Sequence, residues 1–132
     1  MIFLDASAMV SMLTGEEDAD VLADRLAGDE ARFTSAIAAF ETAAAIMRKR
    51  GLGMTEASDI IDRFLGLASI QLSPIAAAEC DLALSAFDRF GKGRHPAGLN
   101  MGDCFAYASA KSLGAKLLFK GEDFPLTDIT AA

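Results

Sequence analysis

Histidine and cysteine are scarce in this chain of 132 residues, which holds one histidine, His95, and two cysteines, Cys80 and Cys104. Neither cysteine belongs to a Cys-x-x-Cys or Cys/His cluster, which argues against a zinc site and against a disulfide framework. Two unpaired thiols fit a reducing cytosol. Long apolar runs are also missing, and none reaches the ~18 residues that a membrane span requires. No basic segment precedes the apolar start Met1-Ile2-Phe3-Leu4, so no secretory leader is apparent and a cytoplasmic protein is expected. Positive charge is in deficit, with 12 Lys and Arg against 19 Asp and Glu and a formal net charge of −7. That balance opposes non-specific attraction to nucleic acid or to an anionic membrane. Repeats, low-complexity tracts and linkers are absent. The length suits one domain, residues 1–132, with a single sizeable core.

What is present is apolar residue in excess: 52% of the chain is hydrophobic and the mean hydropathy is +0.30. This exceeds what a lone small domain needs and points to an oligomer or partner contact. Met1–Leu4 is too short for a helix and suits a buried strand. A helix over Ala8–Leu13 follows, with Asp5 or Ser7 near its N-cap. An amphipathic helix is predicted over Glu16–Ala27 with Val21, Leu22 and Leu26 inward, ended by Gly28. Ala31–Thr34 reads as a second strand, and Thr34 or Ser35 can cap a long helix reaching Arg50 before Gly51. Met54–Leu67 is helical and Ser69–Leu72 is a third strand. Pro74 suits the first turn of a helix that reaches Phe90. Gly91-Lys92-Gly93-Arg94-His95-Pro96 is a flexible basic loop. A helix from about Met101 ends at Gly114, Lys116–Phe119 is a fourth strand, and Phe124–Ile129 is a candidate edge strand. Strands alternating with helices predict an α/β domain, an α/β/α sandwich around a parallel sheet of four to five short strands.

Three apolar stretches each carry a single charge, and each time it is a carboxylate. Met1–Gly15 holds only Asp5, Phe33–Met47 only Glu41, and Leu99–Ala110 only Asp103. An ionised carboxylate in an apolar setting is costly unless something compensates it, and no Lys or Arg lies in these stretches. Ordinary explanations compete for two of them. Asp5 can be an N-cap, and Asp103 in a first helical turn complements the helix dipole. Glu41 lies beyond the first turn, where capping cannot explain it. In a parallel α/β sheet, sites form at the carboxyl ends of the strands. Asp5 follows strand one, Asp123 follows strand four, and Glu41 and Asp103 sit in the opening turns of helices that face the same edge. Clustered carboxylates repel one another unless a cation binds among them. Hard oxygen ligands suit Mg2+ or Mn2+, which would orient a phosphodiester and activate a water.

These residues resemble the PIN-domain family, and within it the VapC-type toxin ribonucleases of toxin–antitoxin modules. The resemblance is carried by Phe3-Leu4-Asp5-Ala6-Ser7-Ala8, by Thr34-Ser35-Ala36 through Phe40-Glu41, and by Gly91-Lys92-Gly93-Arg94-His95-Pro96. Leu99-Asn100-Met101-Gly102-Asp103-Cys104-Phe105-Ala106-Tyr107-Ala108 is its most specific segment, followed by Leu117-Leu118-Phe119-Lys120-Gly121-Glu122-Asp123-Phe124. It implies a Rossmann-like PIN fold and an acidic quartet of Asp5, Glu41, Asp103 and Asp123, both catalytic and metal-binding, with Ser7 beside it. Asp123 rather than Glu122 is matched because it directly precedes Phe124. It further implies a metal-dependent endoribonuclease acting on a structured RNA such as tRNA or rRNA. A VapB-type antitoxin, a homodimer and a toxin–antitoxin hetero-oligomer are the implied assemblies. A housekeeping PIN nuclease in RNA processing or decay is the alternative. The family frequently has a hydroxyl residue after the last strand, where Phe119-Lys120 stands here, leaving Lys120 as a candidate phosphate contact.

Lys92 and Arg94 in the glycine-rich loop are further candidate substrate contacts. Arg48-Lys49-Arg50 ends a helix, where cations suit the dipole, and contact with RNA is the competing reading. Gly91-Lys92-Gly93 is not a phosphate-binding P-loop, because the upstream glycine and following Ser/Thr are missing. A haloacid-dehalogenase-like phosphatase would want an Asp where Ser7 stands, and a dinucleotide-binding module would want a GxGxxG turn.

Overall fold

The computed structural model describes all 132 residues. Strands β1 (Ile2–Leu4), β2 (Arg32–Ser35), β3 (Ile70–Ser73) and β4 (Lys116–Leu118) form one parallel sheet in the order β3-β2-β1-β4. In register, Phe3 lies opposite both Phe33 and Leu117. Alternation along β1 sends Ile2 and Leu4 to one face and Phe3 to the other, as the two-residue period of a strand requires. Ile2 and Leu4 pack among Met9, Leu22, Leu26, Ala38 and Ile70, beneath α1 (Ala6–Thr14), α2 (Ala19–Ala27) and α3 (Ala36–Arg50). Phe3 and Leu117 pack with Phe90, Leu99 and Tyr107, beneath α5 (Ala77–Phe90) and α6 (Met101–Leu113). Helix α4 (Met54–Leu67) packs on α3 and β3. Burial on both faces gives the expected α/β/α sandwich, here with four strands.

The order of strands places the site. From β1 the chain steps outward to β2 and β3, then returns to lay β4 on the other side of β1. The direction of winding therefore reverses between β1 and β4, and a crevice opens at their carboxyl ends. Asp5 leaves β1 into that crevice and Phe119-Lys120 leave β4 into it.

Several boundaries differ from expectation. Asp5, not Ser7, caps α1, and Ser35 caps α3 by accepting from the Ala38 N–H at 3.2 Å. Glu16–Asp18 is a turn rather than the start of α2, because side chains remote in sequence draw its carboxylates. Pro74 precedes α5 by a full turn, since the Ala76 N–H donates to Glu79 Oε2 at 2.9 Å and sets the helix start at Ala77. Phe124–Leu126 is a 3-10 turn, not an edge strand: Pro125 lacks a donor for a ladder and Phe124 is buried in the core. The tail meets β4 later, where Leu117 donates to Thr130 O and accepts from the Ala132 N–H.

Candidate active site

Asp5 is the most buried of the acids, 4% exposed. As the N-cap of α1, its Oδ2 accepts from the Ser7 N–H at 3.0 Å and from Ser7 Oγ at 2.5 Å. Burial pushes its pKa up, and those hydrogen bonds only partly oppose the shift. Asp103 is half-buried in the first turn of α6, where it forms a reciprocal cap with Asn100. The Asn100 N–H donates to Asp103 Oδ2 at 3.0 Å, and the Asp103 N–H donates to Asn100 Oδ1 at 2.9 Å. The carboxyl is nevertheless pushed up to about 6, first by burial and then by the charges of Asp5 and Asp123, against the Asn100 N–H. The capping explanations for Asp5 and Asp103 are thus both correct, and neither exhausts what these groups do.

Glu41 has no such explanation. It is the sixth residue of α3, half-buried, and its raised pKa of about 7 comes from burial first, then from the charges of Asp5 and Asp103. Its carboxylate accepts no hydrogen bond from the protein. The carboxylate lies against Gly102, where an added Cβ would collide with both of its oxygens. Gly102 therefore lets α6 approach the acid, a requirement the sequence reading missed although the glycine sits within the most specific segment. Asp123 is exposed at the end of the β4 loop, close enough to act on Asp103.

The structure thus brings Asp5, Glu41 and Asp103 into one electrostatic neighbourhood, with Asp123 at its open side. As the side chains stand, no three carboxylates converge on a single point that could hold an ion. The donor set is hard oxygen, destabilised in its charged form by burial, with Glu41 lacking any donor. Such a set fits a divalent cation, whose binding would favour the ionised carboxylates.

The candidate substrate contacts separate into two groups. Ser7 and Lys120 meet across the crevice, where the Lys120 N–H donates to Ser7 Oγ at 3.0 Å. Both line a cleft with Glu41, Glu16, Arg48 and Lys49. The structure thereby places two cations of the α3 terminus on the wall of a cleft that Glu41 also lines, whereas the sequence by itself favours helix-end chemistry for them. Lys92 and Arg94 do not line this cleft. Arg94 is drawn back to α5, 3.2 Å from Asp88 Oδ1 and over the Phe87 ring. Lys92 is exposed, and its N–H donates to Leu99 O beside the start of α6. His95 serves the loop itself: its Nδ1 accepts from the Ala97 N–H and its ring meets Phe90 edge-on.

The sequence profile of the PIN domain matches residues 2–129. A Ribonuclease VapC of Mycolicibacterium smegmatis is 45% identical over 128 residues, 97% of each chain. Ribonuclease VapC30 of Mycobacterium tuberculosis is 42% identical over 126 residues, 96% of this chain and 94% of the relative. Among solved structures, Mycobacterium tuberculosis VapC20, described as a sarcin-ricin loop cleaving toxin, superposes with a TM-score of 0.77. It covers 100% of this chain and 98% of its own at 17% identity, a likeness of fold.

Proposed function

The chain belongs to the PIN-domain family, and on that premise we propose that it is a metal-dependent endoribonuclease of the VapC type, the toxin of a toxin–antitoxin module. The observation that carries the site is Glu41: a half-buried carboxylate without a donor, pressed on Gly102 in the field of Asp5 and Asp103. Asp5, Glu41 and Asp103 would hold Mg2+ or Mn2+, with Asp123 on the open side. When bound, such an ion supplies a Lewis acid and a water acidic enough to attack a phosphodiester.

The chain's own residues prepare for that chemistry. Ser7 holds Asp5 in one orientation through two hydrogen bonds. The Asn100 N–H orients the Asp103 carboxylate through Oδ2 alone. Gly102 admits the Glu41 carboxylate, and Leu4 and Leu118 at the ends of β1 and β4 are fully buried. A carboxyl with a pKa of about 7 can give up its proton near neutrality when a cation arrives. Ser7, Lys120, Lys92 and Arg94 are the proposed RNA contacts, and a structured RNA such as tRNA or rRNA is the proposed substrate class.

A basic antitoxin segment of the VapB type matches the net charge of −7 and the acidic crevice. Exposed Phe40 (74%), Leu67 (82%) and Met101 (68%) suit a chain that is covered by a second copy and by that antitoxin. No helix is long and apolar enough to cross a membrane, and we place the protein in the cytoplasm. Sequencing RNA 5′ ends after brief expression tests the reading. A few discrete new ends, lost in Asp5→Ala, are expected; diffuse decay would indicate a housekeeping nuclease, and an unchanged profile would refute the activity.

A further inference from the structure

Three cations line the cleft onto which Glu41 and Ser7 open: Arg48 and Lys49 from the last turn of α3, and Lys120 from beyond β4. Glu41, Ala45, Arg48 and Lys49 are spaced as one face of α3, so both cations stand about two turns along the helix from the acid. Lys120 is placed by a separate route. Its N–H donates to Ser7 Oγ, which in turn donates to Asp5 Oδ2. One hydrogen-bonded chain thus runs from the most buried acid to this lysine's backbone.

Both lysines are held by one carboxylate. Lys49 Nζ lies 2.8 Å from Glu16 Oε1, and Lys120 Nζ lies 3.0 Å from Glu16 Oε2 and 3.3 Å from Asp18 Oδ1. Arg48, on the same wall, joins neither pair. Glu16 reaches them because Gly15 ends α1 in a left-handed turn, φ 66°, that turns the chain over the cleft. Exposed pairs of this kind contribute little to stability and exchange readily. Here they hold cations at the rim of an acidic site on a chain with net charge −7, where a polyanionic substrate would otherwise be repelled.

Resting on the ribonuclease reading, the geometry points to Lys49, Lys120 and Arg48 as the wall that takes a backbone phosphate of the RNA in the cleft onto which Glu41 opens, with Glu16 as the anion which that phosphate displaces. A lysine is a compact charge with three donors, so it can pass from carboxylate to phosphate without moving its backbone. Glu16 and the phosphate compete for the same ammonium groups. Glu16 therefore sets a threshold for binding: RNA must offer a phosphate at this spacing to replace it. Neutralising Glu16 and neutralising the lysines must then change RNA affinity in opposite directions.

The test is anisotropy of a fluorescein-labelled mixed-sequence oligoribonucleotide across a salt series, in EDTA, with every variant carried on Asp103→Asn so that the probe stays intact. Lys49→Met with Lys120→Met is expected to weaken binding about tenfold and to flatten the log–log salt dependence by roughly 0.7 to 1.4, about 0.7 for each single-strand phosphate that the protein ceases to neutralise. Glu16→Gln is expected to tighten binding about threefold at low salt, an effect that fades as salt screens the cleft. Tighter binding that fades with salt in a protein of unchanged melting temperature separates this effect from a damaged fold. An unchanged salt slope in the lysine pair, or unchanged or weaker binding in Glu16→Gln, overturns the proposal. Cleavage by the protein with Asp103 intact decides the ribonuclease reading separately. RNA cut by a protein whose binding ignores these residues removes the cationic wall alone, and RNA left whole with Mg2+ and with Mn2+ removes both.

Discussion

Helix α6 meets carboxylates at two places along its length and treats them in opposite ways. Toward its C-terminal half, Asp128 from the tail accepts from Tyr107 Oη at 2.6 Å, faces Arg89 at 3.3 Å and stands 3.6 Å from Lys111. Its pKa is held below the usual carboxylate range, chiefly by the Tyr107 hydroxyl. At the N-terminal end of the same helix, Glu41 is pressed on Gly102 without a donor and its pKa is driven up to about 7. The first acid is partnered and ties the tail to α5 and α6. The second is unstable in its charged form, an arrangement that disfavours the ionised carboxylate unless a cation compensates it. Between these two acids, partnering more than residue type separates the structural carboxylate from the functional one.

Changes at the two places should separate accordingly. The largest effect is expected from Glu41→Gln, which removes the charge without removing the side chain. RNA cleavage should fall by at least about a hundredfold, the lower end of what a positioned catalytic carboxylate contributes, while thermal unfolding shows no loss of stability. A smaller effect is expected from Gly102→Ala. Its Cβ meets only the far end of the Glu41 side chain, which can swing aside, and alanine is preferred over glycine in a helix by up to about 1 kcal/mol. The melting temperature should hold or rise while cleavage drops about tenfold or more, as a displaced group costs a site. Intact cleavage in this variant would show that the close approach of α6 to Glu41 is incidental. The smallest effect on function belongs to Tyr107→Phe, which should lose about 1 kcal/mol in denaturant unfolding, the worth of one hydrogen bond to a solvated acid. Its cleavage rate should be unaltered.

The same contrast predicts opposite pH dependence. A raised folded pKa means that the native state binds more protons than the unfolded chain. Glu41 and Asp103 therefore contribute a loss of stability in the metal-free protein as pH climbs from the ordinary carboxylate range toward about 7. Asp128, whose pKa is lowered, contributes stability that is present above its unfolded value and is lost on acidification through its folded one. Thermal unfolding in EDTA across this range should show stability falling toward neutrality, and Glu41→Gln should flatten that fall. An unchanged profile in the variant would place the dependence elsewhere.

How much was legible in the sequence follows from how local each cause is. The strands were readable because apolar runs too short for helices alternate with amphipathic stretches, and Ser35 and Gly51 punctuate α3 by their own chemistry. Asp5, Glu41 and Asp103 stood out because each is the only charge in its apolar stretch. Glu16–Asp18 was misread as helix since its partners, Lys49 and Lys120, lie far off in the chain. For the same reason Lys49 looked like a helix-end cation rather than part of a cleft. The tail was misplaced because the anchor that fixes it, Phe124 in the core, acts before the residues that pair with β4. Gly102 carries no signal by itself, as its role exists only once α3 and α6 are side by side.

The central claim is that the carboxylates gathered at the β1–β4 crevice, with Glu41 free of any hydrogen-bond donor, form a divalent-cation site. Calorimetric titration of Mn2+ into the wild-type protein and Glu41→Gln, near neutral pH and in two buffers of different ionisation enthalpy, addresses it directly. The account predicts saturable binding to the wild type with release of protons, since Glu41 is partly protonated there, and affinity at least about tenfold weaker in the variant. Equal affinity in the two proteins, or no binding to either, would contradict it.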